Sequence, residues 1–159
     1  MGHISKLNSE YSKYNATYSA GGDNAMADGM IGDDNSYRDG HWQGTQGADI
    51  DVEYDFEKKE NLNTLQLRFL QNTFDWILAP QKIKVYSSKD GKNWNLVREE
   101  SFKPEFRRGG NILYDWAIRD LNLKSQHLRI VIENPGPLPQ WHPAKGGESY
   151  IFIDEIVIN

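Results

Sequence analysis

The sequence contains no cysteine and no long apolar run. With 0 cysteines in 159 residues, a disulfide framework, thiol catalysis and cysteine-based zinc sites are excluded. No segment reaches the roughly 20 apolar residues that a membrane-spanning helix needs, so we expect no membrane insertion. The first twenty residues are polar and lack the apolar stretch of a secretory signal peptide. If the parent protein is exported, its signal lies upstream of this sequence.

Basic residues are also scarce. Lys and Arg together number 18 against 23 Asp and Glu, which gives a formal net charge of -5. Proteins that bind nucleic acid usually carry a basic face that neutralises phosphates, and anionic membrane surfaces attract basic segments. The charge balance therefore argues against nucleic acid and against an anionic membrane as partners.

Recognisable catalytic signatures are absent. There is no Gly-x-Ser-x-Gly elbow, Walker loop, His-Glu-x-x-His or Gly-x-Gly-x-x-Gly sequence. The histidines do not have the spacing of metal ligands; they are His3, His41, His127 and His142. We therefore predict that this chain is not an enzyme in its own right.

Short strand-like runs make up most of what is present, and helix signals are nearly absent. Residues 49–56 alternate strictly between acidic and apolar side chains, which predicts a half-buried strand. Asp90-Gly91 predicts a hairpin turn. The other predicted strands are 65–69, 82–85, 94–99, 111–118, 128–132 and 150–158. Many short strands separated by turns indicate one antiparallel β-sandwich or jelly roll.

Strand direction predicts where a binding surface lies. Successive strands of an antiparallel fold run in opposite directions, so successive loops alternate between its two ends. The loops predicted to share one end are residues 20–48, 71–80, 102–110 and 134–149. The short polar turns near Lys58, Asp90 and Asn122 then share the other end. Because binding residues concentrate in long loops on a rigid scaffold, we expect the binding surface at the first end.

The long loops carry side chains suited to sugars. Aromatic rings cover the apolar faces of sugars, while polar side chains bond their hydroxyl groups. Trp76 is the predicted stacking platform, because residues 74–76 form a loop tip flanked by polar residues. The predicted carbohydrate-binding residues are His41, Asn72, Phe74, Asp75, Trp76, Arg107, Trp141 and His142. The alternative is that these aromatic side chains pack in the core beneath the loops. We expect that role for Trp94 and Trp116.

The first long loop is acidic. Between Gly21 and Gly44 it holds five aspartates and only one basic residue, Arg38. So many carboxylates repel one another unless something compensates, and calcium is the natural candidate because it binds carboxylate, carbonyl and water oxygens. The spacing is not that of an EF-hand. A solvated acidic loop, whose aspartates cap turns, is the alternative.

Several motifs resemble those of the discoidin, or coagulation-factor type C, domains. Residues 24–29 followed by Trp42 resemble the family's opening motif, and residues 87–94 match its central S-x-D-G-x-x-W hairpin. Residues 128–130 and 154–158 resemble its last strands. A narrower resemblance is to the C-terminal modules of bacterial chitobiase-type β-N-acetylhexosaminidases. The segments that carry it are 18–25, 39–44, 69–73 and 141–143.

The resemblance implies an eight-stranded antiparallel jelly-roll β-sandwich of the galactose-binding type, similar to carbohydrate-binding modules of family 32. It implies a non-catalytic module that binds galactose- or N-acetylhexosamine-containing glycans. The implied partner is a catalytic glycosidase domain in the same extracytoplasmic parent chain, periplasmic or at the cell surface. A structural accessory domain that binds no sugar is the alternative. Residues 1–15 are predicted as a tag remnant or linker, and 16–159 as the single domain.

The resemblance also implies a structural calcium ion. Its ligands would be the carbonyl of Ala25, the side chain of Asp28 and the position of Glu155. Gly40 stands where the family usually has Thr, two residues before the Trp, so the middle ligands stay open. The candidates for them are Asp33, Ser36 and Asp39. The family's sugar contacts vary from loop to loop, so the predicted sugar site depends on the strand-direction argument.

Overall fold

The chain folds into two antiparallel sheets of five strands each, as seen in a computed structural model that describes residues 4–9, 14–105 and 109–159. The strands are β1 (Ile4–Ser9), β2 (Tyr14–Ser19), β3 (Gln43–Gln46), β4 (Ile50–Leu62), β5 (Leu65–Gln71), β6 (Lys82–Ser88), β7 (Trp94–Ser101), β8 (Ile112–Ile118), β9 (Leu123–Glu133) and β10 (Tyr150–Ile158). The first sheet has the order β1-β4-β9-β6-β7, and the second β2-β3-β10-β5-β8.

The predicted all-β antiparallel sandwich is confirmed. Helix in the described residues is limited to two 3-10 turns, Ala25–Ala27 and Thr73–Asp75. No helix in that part of the chain has the length and apolar content to cross a bilayer. The described residues form ten strands rather than the expected eight, because short strands near the N-terminus extend both sheets.

The N-terminal strands lie across the predicted domain boundary. Strand β1 pairs with β4, with Ile4 opposite Phe56 and Ser9 opposite Val52. Strand β2 runs from residue 14 to residue 19. The boundary predicted at residue 16 therefore falls inside β2, and β1 adds a strand to the first sheet before it. This segment has few apolar residues, so it showed no alternation that would mark a strand.

The core lies between the two sheets, and β4 shows how the sequence forms it. Ile50, Val52, Tyr54 and Phe56 are buried, while the acidic residues between them remain partly exposed. Side chains of this size stabilise the fold by about 1.5–3 kcal/mol each when fully buried. Buried side chains on one face of β5, β9 and β10 join the same cluster. A regular period-two pattern thus places the apolar face of β4 inward.

The antiparallel topology gathers four connections at one end of the sandwich, called the loop end below. They are β3–β4, β5–β6, β7–β8 and β9–β10. The predicted loop 20–48 is interrupted by β3, so the β2–β3 connection starts toward the opposite end. It returns to the loop end across the outer face of the second sheet, where Gly32 N–H donates to Asp154 of β10 (3.0 Å). Near the loop end, the Asn111 side chain donates to the carbonyl of Asp34 (3.2 Å).

Candidate functional site

The connection from β5 to β6 forms a tight turn, residues 72–76, called the platform turn below. The side chain of Asn72 caps it by accepting the N–H of Asp75 (3.4 Å), and the N–H of Trp76 donates to the carbonyl of Thr73 (3.2 Å). Trp76 ends the turn in the left-handed conformation, with φ of 67°. This geometry leaves Phe74 at the tip, with 56% of its surface exposed.

The β9–β10 loop docks on the platform turn through His142. The Nε2 atom of this buried side chain lies 2.9 Å from the carbonyl of Thr73, and its Nδ1 accepts the N–H of Ala144 (3.0 Å). Because Nδ1 accepts, Nε2 carries the proton and donates. Both ring nitrogens are therefore engaged within the protein, so His142 positions the loop. Its neighbour Trp141 is 39% exposed.

The β7–β8 loop borders the other side of the platform turn. The Asn72 side chain donates to Oδ1 of Asn111 (2.9 Å). A Cβ added to Gly109 would lie 3.2 Å from the ring of Phe74, so the glycine backbone packs closely against that ring. Arg107, predicted to contact sugar from this loop, lies outside the described residues.

The β2–β3 connection reaches the platform turn through Tyr37 and Arg38. Burial raises the pKa of the Tyr37 hydroxyl, and the nearby carboxylate of Asp75 adds to the shift. Arg38 donates from Nη2 to the Tyr37 hydroxyl (3.3 Å). His41, predicted to join this site, instead lies beside Asp39, with Nδ1 3.4 Å from a carboxylate oxygen. No described contact joins His41 to the platform turn.

The loop end therefore offers two exposed aromatic side chains among polar groups. Phe74 and Trp141 are exposed, whereas Trp76, the predicted platform, is half-buried and its ring packs against Gly147. Asp75 is exposed beside them. Rings and polar atoms in this arrangement can stack on a sugar and bond its hydroxyl groups.

Sequence reasoning missed Tyr37 and Arg38 as site residues. They lie within the acidic segment, where His41 is the residue predicted to contact sugar. An aromatic next to the segment's one basic residue was the signal that could have identified them.

The acidic loop has an internal cation, Arg68 of β5. Its guanidinium bonds the carboxylates of Asp34 and Asp154 and donates to the carbonyl of Gly32 (3.0 Å). It also lies 5.3 Å from the ring centre of the buried Trp42. The repulsion expected among the loop's carboxylates is thus relieved in part by an arginine from another strand.

Two of the predicted calcium ligands come together near Gly29. Its N–H donates to Oε2 of Glu155 (3.0 Å), and the N–H of Met30 donates to Oδ1 of Asp28 (2.8 Å). Burial raises the pKa of Glu155 to about 7, and the carboxylates of Asp28 and Asp154 contribute to the shift. A bound cation would relieve both the desolvation and the repulsion, so this pair fits calcium.

The other predicted ligands form a separate hydrogen-bonded group. Asp39 accepts the N–H groups of Asp33 and His41, and Ser36 accepts the N–H of Arg38. Within the described ranges, no three acidic or histidine side chains are arranged to hold a metal ion. A calcium ion would therefore combine Asp28 and Glu155 with uncharged oxygens, such as the carbonyl of Ala25 in the preceding 3-10 turn.

Comparison with known proteins gives a family match and a set of similar folds. The sequence profile of the F5/8 type C domain matches residues 6–151. A search of curated protein sequences gave no match.

Three solved structures illustrate the similarity of fold. The CBM32-2 module of GH31 bound to GalNAc has a TM-score of 0.60 and 12% identity, over 98% of this chain and 97% of that chain. The family 32 module of Clostridium perfringens NanJ in complex with galactose has a TM-score of 0.54 and 11% identity, over 96% and 91%. A pectin-binding carbohydrate-binding module has a TM-score of 0.56 and 14% identity, over 100% and 92%.

Proposed function

The chain belongs to the F5/8 type C domain family, and from that premise we propose that it is a non-catalytic glycan-binding module. The main support for this proposal is the structure around the platform turn. Three other loops contact the turn, while Phe74 and Trp141 remain exposed. Similar folds have been solved with galactose and with GalNAc.

The chemistry of the platform turn supports a sugar ligand. The rings of Phe74 and Trp141 supply apolar faces for the C–H surface of a sugar ring, and Asp75 supplies a carboxylate for its hydroxyls. The turn is held by its own cap and by the neighbouring loops, so little ordering entropy is lost on binding. One or two sugar rings bury little area, so we expect a Kd of about 1 mM, or about -4 kcal/mol.

We further propose that the module is attached to an extracytoplasmic glycosidase and directs it to galactose- or N-acetylhexosamine-containing glycans. One similar structure is CBM32-3 from a family 31 glycoside hydrolase of Clostridium perfringens, at 17% identity. A structural accessory domain is the competing proposal, in which Trp141 would contact a catalytic domain instead of a sugar. Sugar binding by this chain alone favours the first.

A structural calcium ion is part of the proposal. Asp28 and Glu155 would hold it together with the carbonyl of Ala25, and the ion would neutralise carboxylates that repel one another. The raised pKa of Glu155 and its closeness to Asp28 support this assignment. Ala25 and Asp28 belong to the β2–β3 connection and Glu155 to β10, the middle strand of the second sheet, so the ion would fix that connection to the sheet.

The proposal is tested by NMR titration of the isolated chain with galactose, GalNAc and oligogalacturonate. We expect one of these sugars to shift the resonances of Phe74, Asp75 and Trp141 in a saturable manner. Shifts confined to the opposite end, near Asp90 and Asn122, would contradict the placement of the site. No binding of any of the three at 20-fold the expected Kd, on the order of 20 mM, would contradict glycan binding and favour the accessory domain.

A further inference from the structure

A pocket opens along the edge of the second sheet, beside Tyr37 and Arg38. It has a volume of about 410 Å³ and lies between the end of β2 and the returning part of the β2–β3 connection. Its side-chain lining includes Thr17, Tyr18, Tyr37, Arg38 and Trp42. This volume lies at the lower end of the range for small-molecule sites, and one sugar ring fits in such a space.

The wall of the pocket is aromatic and firmly supported. The rings of Tyr18 and Tyr37 meet edge to face at 5.9 Å, and both pack against the buried Phe152, at 4.9 Å and 5.5 Å. Tyr18 also meets Tyr150 edge to face at 6.1 Å. Because rigid aromatic side chains lose little conformational entropy on binding, this wall is suited to a ligand that has both an apolar face and hydroxyl groups.

Arg38 supplies the polar rim of the pocket. Its side chain is exposed, and its described side-chain hydrogen bond is the donation from Nη2 to the Tyr37 hydroxyl. A guanidinium has five N–H donors, so further donors are available to ligand hydroxyls. Tyr37 also adjoins Asp75 of the platform turn: burial, and after it the nearby Asp75 carboxylate, raise the pKa of the Tyr37 hydroxyl. The pocket and the platform turn therefore share one border.

We propose that this pocket is a second sugar subsite, so that the preferred ligand is a disaccharide or longer glycan spanning it and the platform turn. The inference rests on the proposed glycan binding at the platform turn. It adds that the ligand has at least two sugar rings, and that the second ring contacts the residues of this pocket. One ring stacks at Phe74, the glycosidic linkage passes the Tyr37–Asp75 border, and the next ring takes hydrogen bonds from Arg38 and the Tyr18 hydroxyl.

Calorimetric titration of the wild-type chain tests the inference. The probes are galactose, GalNAc and GalNAc-β-1,3-galactose, with galacturonic acid and digalacturonic acid in parallel. We expect a disaccharide to bind about tenfold more tightly than its component monosaccharides. Arg38→Met and Tyr18→Phe should each lower the disaccharide affinity toward that of the monosaccharide. Tyr18→Phe should change monosaccharide affinity by no more than about twofold, because Tyr18 lines this pocket and not the platform turn.

The controls separate failure of the inference from failure of the proposed function. Lys89→Met removes a positive charge at the opposite end and should change no affinity. Equal affinity of wild type for monosaccharide and disaccharide would overturn the second subsite alone, as would equal weakening of both ligands by Tyr18→Phe. No binding of any probe by wild type would overturn glycan binding itself. A melting curve for each variant shows whether it is folded.

Discussion

Exposure separates the roles of aromatic residues that are close in sequence. Phe74 and Trp76 are two positions apart in the platform turn, yet the first is exposed at the tip and the second is half-buried against the next loop. The left-handed backbone at Trp76 turns the chain back toward β10, where its carbonyl accepts the N–H of Tyr150 (2.8 Å). Phe74 is therefore the better candidate for a stacking residue.

Truncating these two residues should have opposite effects on binding and stability. Phe74→Ala should weaken sugar binding at least tenfold and shift the melting temperature little, because its exposed ring contributes little to the core. Trp76→Ala should destabilise the fold by about 1–3 kcal/mol, since it removes half-buried contacts. Calorimetry and chemical denaturation measure the two effects. Leu96→Ala, which truncates another exposed apolar side chain (52%), is the matched control. Unchanged binding in Phe74→Ala would contradict the assignment.

Arg68 should be among the residues on which stability depends most. Arg68→Met leaves the fully buried carboxylate of Asp154 without its cation, and breaking such a pair costs about 3–5 kcal/mol. Urea denaturation measures the loss. The double variant Arg68→Met with Asp154→Asn should recover part of it, because no unpaired charge remains buried; Asp34 is exposed to water. Arg119→Met, at an exposed position, is the control. If Arg68→Met loses no more unfolding free energy than Arg119→Met, the stability of the β2–β3 connection does not depend on Arg68.

The sequence predicted individual residues where one physical rule decides. The alternation of residues 50–56 fixed which side chains of β4 are buried, because the period of a strand is two. It did not predict that His142 is buried or that Trp76 packs against Gly147. Those outcomes depend on which loops meet, and no local pattern encodes the meeting of residues 70 positions apart.

At the scale of elements, the hairpin between β6 and β7 is held by one carboxylate. Asp90 accepts the N–H groups of Asn93 (2.8 Å) and Lys92 (2.9 Å), and also bonds the side chains of Asn93 and Ser88. These hydrogen bonds hold the pKa of Asp90 well below its usual range, and the bond from the Asn93 N–H contributes most. The charged form is thus favoured in the folded state.

The hairpin should make stability sensitive to acid. Since the pKa of Asp90 is lower when folded than when unfolded, its contribution is present above the unfolded value of about 3.9 and is lost as the pH falls below it. Urea melts between pH 7 and pH 3 should show this loss. Asp90→Asn should be less stable at pH 7 and should lose less on acidification. An identical pH profile for variant and wild type would contradict the role of Asp90.

The β2–β3 connection carries the predicted calcium site. Calcium should raise the melting temperature by mass action, because the folded loop brings Asp28 and Glu155 together. Asp28→Asn should abolish the increase. Asp39→Asn should retain it, because Asp39 belongs to the separate hydrogen-bonded group. Differential scanning fluorimetry with calcium and with chelator measures both, and an equal response in wild type and Asp28→Asn would contradict the site.

Element prediction succeeded for long strands and failed for short ones. Strand β3 has only four residues, and Gly44 is required there because a Cβ would come within 2.8 Å of the Phe152 ring. A short strand with glycine for packing reasons has no recognisable alternation. Missing β3 placed the whole of residues 20–48 at the loop end, whereas only the part from Asp34 to Arg38 and the β3–β4 turn reach it.

At the scale of the molecule, the sandwich separates stability from binding. The core between the sheets and the hairpin at the opposite end are formed without the platform turn, whose exposed rings add little to the buried cluster. Binding residues on such loops can change without unfolding the scaffold. This separation also means that a ligand acts on stability only through its affinity for the folded state.

Sugar should therefore stabilise the whole domain by an amount set by its concentration. With a Kd of about 1 mM, a sugar at about 10 mM adds RT ln(1 + [L]/Kd), or about 1.4 kcal/mol. For a domain of this length that corresponds to a rise in melting temperature of roughly 3–6 °C. Scanning calorimetry over a series of sugar concentrations should give a logarithmic dependence above Kd. The same sugar should stabilise Phe74→Ala by about 0.4 kcal/mol or less, because its Kd is at least tenfold higher. Mannitol, a polyol that has hydroxyl groups and no ring, controls for general solvent effects. If wild type and Phe74→Ala rise equally with sugar, the stabilisation comes from the solvent and not from the platform turn.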